Sequence, residues 1–391
     1  MKKVIIYAVG EKFEDYFFER YSDIDLIKND RIPVYIEDIV DGSVSKQGQP
    51  IRMGNKIFIV KSPDEVDKNS DIYVTSTKNF DQIKGNLINK GFDENKIYRF
   101  DEYLYDIVWN RPYKYKVAFT TIMRNERENI LEWLDYHILV GVEHFYLYDN
   151  YSTDNPLEVL KPFIEKGIVT YNKWENGKGQ KEAYDDARMS YGRDCLYMGF
   201  IDIDEYVYPK ITESIFDGIQ QIRNKFECEQ QEHIERFFAG VAINWKMFGT
   251  SDFVKKPEGG TLKNYVRCAE GYSGLVKSIV NPLAIASCRV HNMRLFPPFV
   301  MINESGNPVI SHCYFASTSV MFQINHYFSR SEEEYYQKIA KGWNHKSSNG
   351  GNTEEDTKRY FARAMRTVVA ESNVNTDRGI LRKINGLRGK V

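Results

Sequence analysis

The chain has 391 residues, a length that suggests two or three domains, and either half could bury a core of its own. Its 53 Lys and Arg stand against 55 Asp and Glu, so no global field draws it to nucleic acid. No stretch approaches the roughly 18 apolar residues of a membrane-spanning helix, and Met1 to Gly10 returns to charge at Glu11 and Lys12 without a cleavage pattern, which reads as a first strand and not a signal peptide. The five cysteines, Cys195, Cys228, Cys268, Cys288 and Cys313, are odd in number and unpaired by any Cys-x-x-Cys spacing. They are expected to be reduced, buried thiols of a cytoplasmic protein. The 27 Tyr and 23 Phe suit stacking surfaces for sugars or bases, and equally an aromatic core.

In chain order, a strand at Val4 to Val9 is followed by Gly10 and a helix near Phe13 to Tyr21. Next come a strand at Val34 to Ile36, a hairpin or loop around Gly42 to Gly54, and strands at Lys56 to Val60 and Asp71 to Ser76. A helix over Asp81 to Lys90 and a strand at Lys96 to Phe100 complete residues 1–110. Such alternation predicts a small open α/β sheet. It resembles the Rossmann-like modules that precede sugar-modifying enzymes of polysaccharide pathways. The first turn lacks the Gly-x-Gly-x-x-Gly that admits a pyrophosphate, so the module is expected to act as scaffold or partner contact. Tyr103 to Tyr115, with Asn110-Arg111-Pro112, reads as a linker.

The second region, 111–391, opens with a strand from Lys116 running to Asn125. Ile130, Leu134 and Ile138 then recur at helical spacing, with Asn125 and Glu128 spaced as an N-cap and its reciprocal partner. A strand at His144 to Tyr148, a helix opened by Pro156, a strand at Ile168 to Asn172 and a helix from Gln180 to Tyr191 follow. They lead into Leu196-Tyr-Met-Gly-Phe-Ile-Asp-Ile-Asp-Glu-Tyr-Val207, an apolar strand ending in three carboxylates. The pattern is β-α-β-α-β-α-β, and it brings Asn125, Asp149 and Asp202 to the carboxyl ends of the strands, where open α/β sheets bind ligands.

On a strand of period two, Asp202 and Asp204 share a side and Ile203 takes the other. Close carboxylates repel and lose hydration, so they stay ionised with a cation beside them, and all-oxygen ligation suits Mg2+ or Mn2+ with open positions for substrate phosphates. The spacing predicts a metal-diphosphate clamp.

Thr120-Thr-Ile-Met-Arg-Asn-Glu-Arg-Glu-Asn-Ile-Leu-Glu-Trp133, Tyr146-Leu-Tyr-Asp-Asn-Tyr-Ser-Thr-Asp154, Gln180 and Phe200-Ile-Asp-Ile-Asp-Glu-Tyr206 together resemble the glycosyltransferase family 2-like and family 92 group. That resemblance implies a GT-A type domain with a mixed, mostly parallel sheet after the Rossmann-like domain. It further implies metal-dependent, inverting transfer from a nucleotide sugar, most often a UDP-sugar, to a glycan or lipid-linked acceptor. By the same resemblance Asp149 and Ser152 would meet the base or ribose, Asn125 and Glu126 would line that pocket, and Gln180 would face the donor. Asp202 and Asp204 would hold Mn2+ or Mg2+, with His291 completing the set and His326 near the site.

Breaking a sugar-phosphate bond needs a cation to stabilise the departing diphosphate and a base for the acceptor hydroxyl. Glu205 and Asp252 are the catalytic candidates, and Lys277 is a further candidate for diphosphate contact. His137, His144, His233 and His345 read as surface or helix-face residues, and the glycines at 259–260 and 271–274 as lid loops. The tail from Asp377 sets Ile380, Leu381, Ile384 and Leu387 among Arg and Lys. It suits either a disordered basic tail or contact with an anionic membrane. Other readings of the acidic strand end are a nucleotidyl- or phosphotransferase, or a non-catalytic carbohydrate-binding protein; Asp149, Asp202 and Asp204 together weigh against the latter.

Overall fold

Short β-branched runs between polar turns build the first part of the chain. The computed structural model describes residues 2–10, 13, 34–53, 56–177, 179–229, 236–296, 298–314, 319–340 and 371–389. Strands β1 (Lys2–Tyr7) and β2 (Val34–Val40) pair in parallel, while β3 (Pro50–Met53) and β4 (Lys56–Ile59) form a separate antiparallel hairpin. β5 (Ile72–Val74) and β6 (Ile97–Arg99) complete a parallel four-stranded sheet of order β2-β1-β5-β6. The strand expected at Lys56 belongs to the hairpin because Ile57 and Ile59 face solvent. Helix α1 (Phe80–Asn89) lies where expected. Of the helix expected near residues 13–21, only Phe13 is among the described residues, and it is buried.

The expected linker is instead largely helix α2 (Phe100–Trp109). Phe100, Leu104 and Val108 repeat every fourth residue and are buried, so their shared face packs inward. Trp109 meets Tyr197 edge-on at 5.7 Å, Tyr105 meets Phe237 at 4.9 Å, and the Arg223 guanidinium lies 3.9 Å from the Trp109 ring centroid. The connection is therefore a packed element of the core.

Strand β7 (Tyr115–Met123), α3 (Arg127–Leu139), β8 (His144–Asp149), α4 (Pro156–Glu165), β9 (Val169–Lys173), α5 (Gln180–Tyr191) and β10 (Cys195–Phe200) follow as the pattern predicts. After β10 the chain turns, re-forms as β11 (Glu205–Pro209), and continues through α6 (Ile215–Glu229) to β12 (Phe237–Met247), β13 (Val276–Val280), β14 (Phe299–Ile302) and β15 (Phe322–His326). The nine-stranded sheet has the order β11-β15-β12-β13-β10-β7-β8-β9, with β14 beside β12. β10, β7, β8 and β9 run parallel, and the antiparallel pairs are β10 with β13, β12 with β13 and β11 with β15. The expected mixed, mostly parallel sheet is present.

Two helices matter below: α7 (Glu332–Ala340), opened by a reciprocal Ser331–Glu334 capping box, and α8 (Gly379–Arg388). α8 overturns both readings of the tail. Ile380 is buried, Leu381, Ile384 and Leu387 pack on the core, and Lys383 donates to the Thr212 carbonyl. The apolar side is spent inside the protein, which removes the argument for membrane contact. Among the described residues no helix is long and apolar enough to cross a membrane. All five cysteines are free, but Cys228 is exposed, contrary to expectation.

Candidate active site

The turns after β7 and β8 are laced together at the carboxyl edge of the sheet. Asn125 takes φ 56°, and its N–H donates to Ser152 Oγ at 2.9 Å while its Oδ1 accepts from the Thr153 N–H at 2.7 Å. Asp149, buried, accepts from the Ser152 N–H at 3.0 Å and from the Tyr171 hydroxyl. The Arg127 N–H donates to Asp154 Oδ2 at 2.9 Å. Asn125 is thus not the helix cap expected of it: the N-cap is Glu126, and Glu128 reaches Lys256. The polar side chain serves the neighbouring turn, a loop-to-loop contact that local spacing does not encode.

Asp202 and Asp204 do not lie on a strand. β10 stops at Phe200, and Asp202 to Glu205 form a turn closed by the Glu205 N–H on the Asp202 carbonyl at 3.0 Å. Trp133 Nε1 donates to the Asp202 and Glu205 carbonyls at 3.1 and 2.8 Å. The two carboxylates consequently face different partners. Asp202 Oδ1 accepts from Gln180 at 2.6 Å and from the Tyr184 hydroxyl at 3.0 Å, and its Oδ2 pairs with Lys277 Nζ at 2.8 Å. Asp204 Oδ2 pairs with Lys338 Nζ at 2.5 Å and lies 3.5 Å from His326 Nε2. Burial alone would raise the Asp204 pKa, but Lys338, His326 and Arg330 hold it well below the usual range.

Lys277 is fully buried and sits 3.7 Å from Glu205. Burial pulls its pKa down, yet Asp202 and Glu205 keep it above its ordinary value. It is an internal counter-ion and not a solvent-exposed side chain. Glu205, also fully buried, accepts from the Asp202 N–H at 2.9 Å, and burial raises its pKa well above normal because Asp202 holds the nearer place on Lys277. A base must reach an acceptor hydroxyl, and Glu205 has no route to one here. Asp252, at φ 66°, pairs with Arg267 at 2.6 Å and is not among the residues lining the cleft described below. Both catalytic candidates therefore stand outside it.

The donor types suit a divalent ion, since two carboxylates are accompanied by imidazoles whose Nδ1 atoms, in His291 and His326, are buried without a hydrogen bond. His291 is neutral, its pKa pulled to about 4 by burial and by Lys277, and it stacks edge-on against Trp245 at 5.2 Å. The placement is nevertheless closed: among the described residues no three His, Cys, Asp or Glu side chains stand close enough to hold an ion, and each aspartate has a lysine on it. Lys338 is partly exposed and can leave Asp204; Lys277 cannot leave Asp202 without a large rearrangement.

A cleft of about 310 Å³ opens at this edge, and Asn125, Glu126, Asp204, Lys256, Arg330 and Lys338 are among its lining residues. The structure thus joins Asn125, Glu126 and Asp204, ties Ser152 and Asp149 to them through Asn125, and joins Gln180 to Asp202. Arg330 and Lys338 escaped the sequence reading; the signal available was two cations flanking a capping box just after the His326 strand. Among the supposed surface histidines, His137 is wholly buried between the Trp133 carbonyl and the Val207 N–H, and His144 is buried against Tyr115; His233 and His345 lie outside the described residues. The supposed lid loops are anchored, 259–260 beside Glu132, which accepts from the Thr261 and Leu262 N–H groups, and 271–274 through Asn244.

Residues over 231 positions are 26% identical to a glycosyltransferase family 92 protein of Ricinus communis, covering 58% of this chain and 38% of that one. A family 92 protein of Oryza sativa subsp. japonica is 28% identical over 182 residues, covering 46% and 29%. The chain therefore spans less than two-fifths of the length of these relatives. The crystal structure of S. aureus TarS in complex with UDP covers 43% of this chain and 47% of its own at 13% identity, with a TM-score of 0.29, too low to carry an argument. The sequence profile of glycosyltransferase family 92 matches residues 114–366, and the chain belongs to that family.

Proposed function

We propose that the chain transfers a sugar, with inversion, from a nucleotide-sugar donor, a UDP-sugar by preference, to a glycan or lipid-linked acceptor in surface polysaccharide synthesis. The observation that carries this reading is the meeting of Asn125, Glu126 and Asp204 in one cleft at the strand ends, with Asp202 on the same turn as Asp204. Asn125 lines the cleft and is braced from behind by Ser152, which Asp149 holds in turn, a placement suited to contact with a base or ribose. Gln180 and Tyr184 orient Asp202, and Lys277 pairs with its other oxygen. Mn2+ or Mg2+ would supply a Lewis acid for the leaving diphosphate; Asp204 is the carboxylate that could meet such an ion once Lys338 swings away, whereas Lys277 blocks Asp202. With Glu205 and Asp252 outside the cleft, Glu126 and Glu128 are the carboxylates placed to take the acceptor proton. The five free cysteines support a reducing compartment such as the cytoplasm.

Asp204→Ala tests the reading. Hydrolysis or transfer of a UDP-sugar in Mn2+ should fall by roughly a hundred- to a thousand-fold, the scale of losing one electrostatic stabiliser, while the chain still folds cooperatively. Unchanged turnover would remove Asp204, and the metal, from the reaction.

A further inference from the structure

The junction between β15 and α7 concentrates unmet hydrogen-bonding capacity. His326 Nδ1, Ser329 Oγ and the Nε and Nη2 of Arg330 are all buried without a hydrogen-bond partner, four such atoms within five residues. Buried polar atoms are otherwise paired almost everywhere in proteins, and unpaired ones call for an absent ligand or water. Arg330 is only 9% exposed, and its Nη1 lies 3.6 Å from Glu126 Oε2. It also holds φ 50°, a left-handed conformation that a bulky side chain enters under strain. Ser329 and Arg330 both line the cleft that contains Asn125 and Asp204.

The chemistry of these groups selects an anion. The Nε and Nη2 edge of a guanidinium is a planar two-donor fork matched to a pair of phosphate oxygens, and the serine hydroxyl can donate beside it. The carboxylates around Arg330 each hold another partner, although one oxygen of Asp154, Oδ1, is buried without one. Glu126 accepts from Asn129 at 2.8 Å, Glu128 pairs with Lys256, Asp154 accepts from the Arg127 N–H, Asp204 pairs with Lys338, and Glu334 accepts from Ser331 and the Tyr265 hydroxyl.

We propose that this junction is the subsite for the donor's diphosphate, with Arg330 gripping phosphate oxygens through Nε and Nη2 and Ser329 adding a hydroxyl. The assignment rests on the nucleotide-sugar reading above and adds to it the group that distinguishes a diphosphate from a bare nucleoside. Lys338, partly exposed and lying on Asp204, closes the subsite; its swing away from Asp204 opens it.

The test is calorimetric titration of the full chain with uridine, UMP, UDP and inorganic pyrophosphate, comparing wild type with Arg330→Gly, Arg330→Gln and Arg330→Lys. The glycine variant relieves the positive φ, so it should melt at or above the wild-type temperature and yet bind UDP and pyrophosphate at least tenfold more weakly, with uridine affinity unchanged. Lysine keeps the charge without the fork and should fall between. Wild-type affinity of Arg330→Gly for UDP overturns the assignment, and so does equal loss of uridine and UDP, the mark of a merely structural arginine. A wild type that binds uridine and UDP alike overturns the subsite and leaves the nucleotide pocket standing. A wild type that binds none of the four overturns both.

Discussion

The parallel first sheet and the mixed second sheet each open a cavity at the carboxyl ends of parallel strands, and the one in the first sheet is the larger of the two. Some 640 Å³ lie between the ends of β1, β2 and β5, bordered by Tyr7, Asp41, Lys46, Thr75 and Lys78, against about 310 Å³ at the second sheet. The difference is in how their polar groups are satisfied. Asp41 takes the Val9 N–H at 2.7 Å and the Ser43 N–H at 2.8 Å with Lys46 farther off at 3.4 Å, and Thr75 Oγ1 donates to the Ala8 carbonyl at 2.6 Å. The second edge is instead built on charges paired with charges and on donors left unpaired. Volume follows from strand topology, whereas paired charges and unpaired donors are what sets the second edge apart as the candidate site.

The comparison breaks most readily at Lys277. Its partners are the fully buried Glu205 and the partly exposed Asp202, so Lys277→Met removes the counter-ion of a buried acid and should destabilise the chain by about 3 kcal/mol, read as a drop in the urea midpoint. A loss below about 1 kcal/mol would mean that Glu205 and Asp202 share a proton or find water, and that the second edge is not under electrostatic load. In the first sheet, Asp41→Ala strands two backbone N–H groups and should cost about 1–3 kcal/mol, with kcat/KM for donor turnover unchanged. A fall in kcat/KM comparable to that of Asp204→Ala would erase the distinction between the edges and make the first cavity part of the reaction.

What was legible in the sequence follows the same line. Periodicity and turn residues located α1, the Pro156 start of α4, α5, the Ser331 capping box and the β-α-β-α-β-α-β order, because each depends on contacts within a few residues. The Asp202 turn was missed because Leu196 to Val207 is apolar enough to be one strand, and only the Glu205 carboxylate folding back on the Asp202 N–H, with Trp133 across it, breaks the run. The lysines on both aspartates were invisible for a related reason: Lys277 and Lys338 reach them from β13 and α7, 75 and 134 residues along the chain. The α2 helix was hidden by Asn110-Arg111-Pro112, a true break that made the preceding turns look like linker. The tail carries Gly379, Gly386 and Gly389, poor helix formers, yet burial of Ile380 and packing of its apolar neighbours outweigh their propensity cost.

The last expected effect uses a histidine that lines neither cavity. His137 is wholly buried and neutral, holding the Trp133 carbonyl and accepting the Val207 N–H at 3.1 Å, and burial pulls its pKa from 6.5 to about 3. Because the folded pKa is depressed, the stability tied to this neutral form is fully present above pH 6.5. It is lost as the pH falls toward 3, where the unfolded chain binds a proton that the folded chain refuses. The slope from this one group approaches about 1.4 kcal/mol per pH unit below 6.5. Urea midpoints taken between pH 7 and pH 4.5, where His291 adds a slope of the same sign, should decline, and His137→Gln should flatten the decline by one proton's worth while lowering stability at pH 7. A variant whose pH slope equals that of wild type would show that His137 keeps its proton in the fold. The Trp133 contact, which also braces the Asp202 turn, would then be made by an imidazolium, and the second edge would carry one more buried charge than its geometry assigns to it.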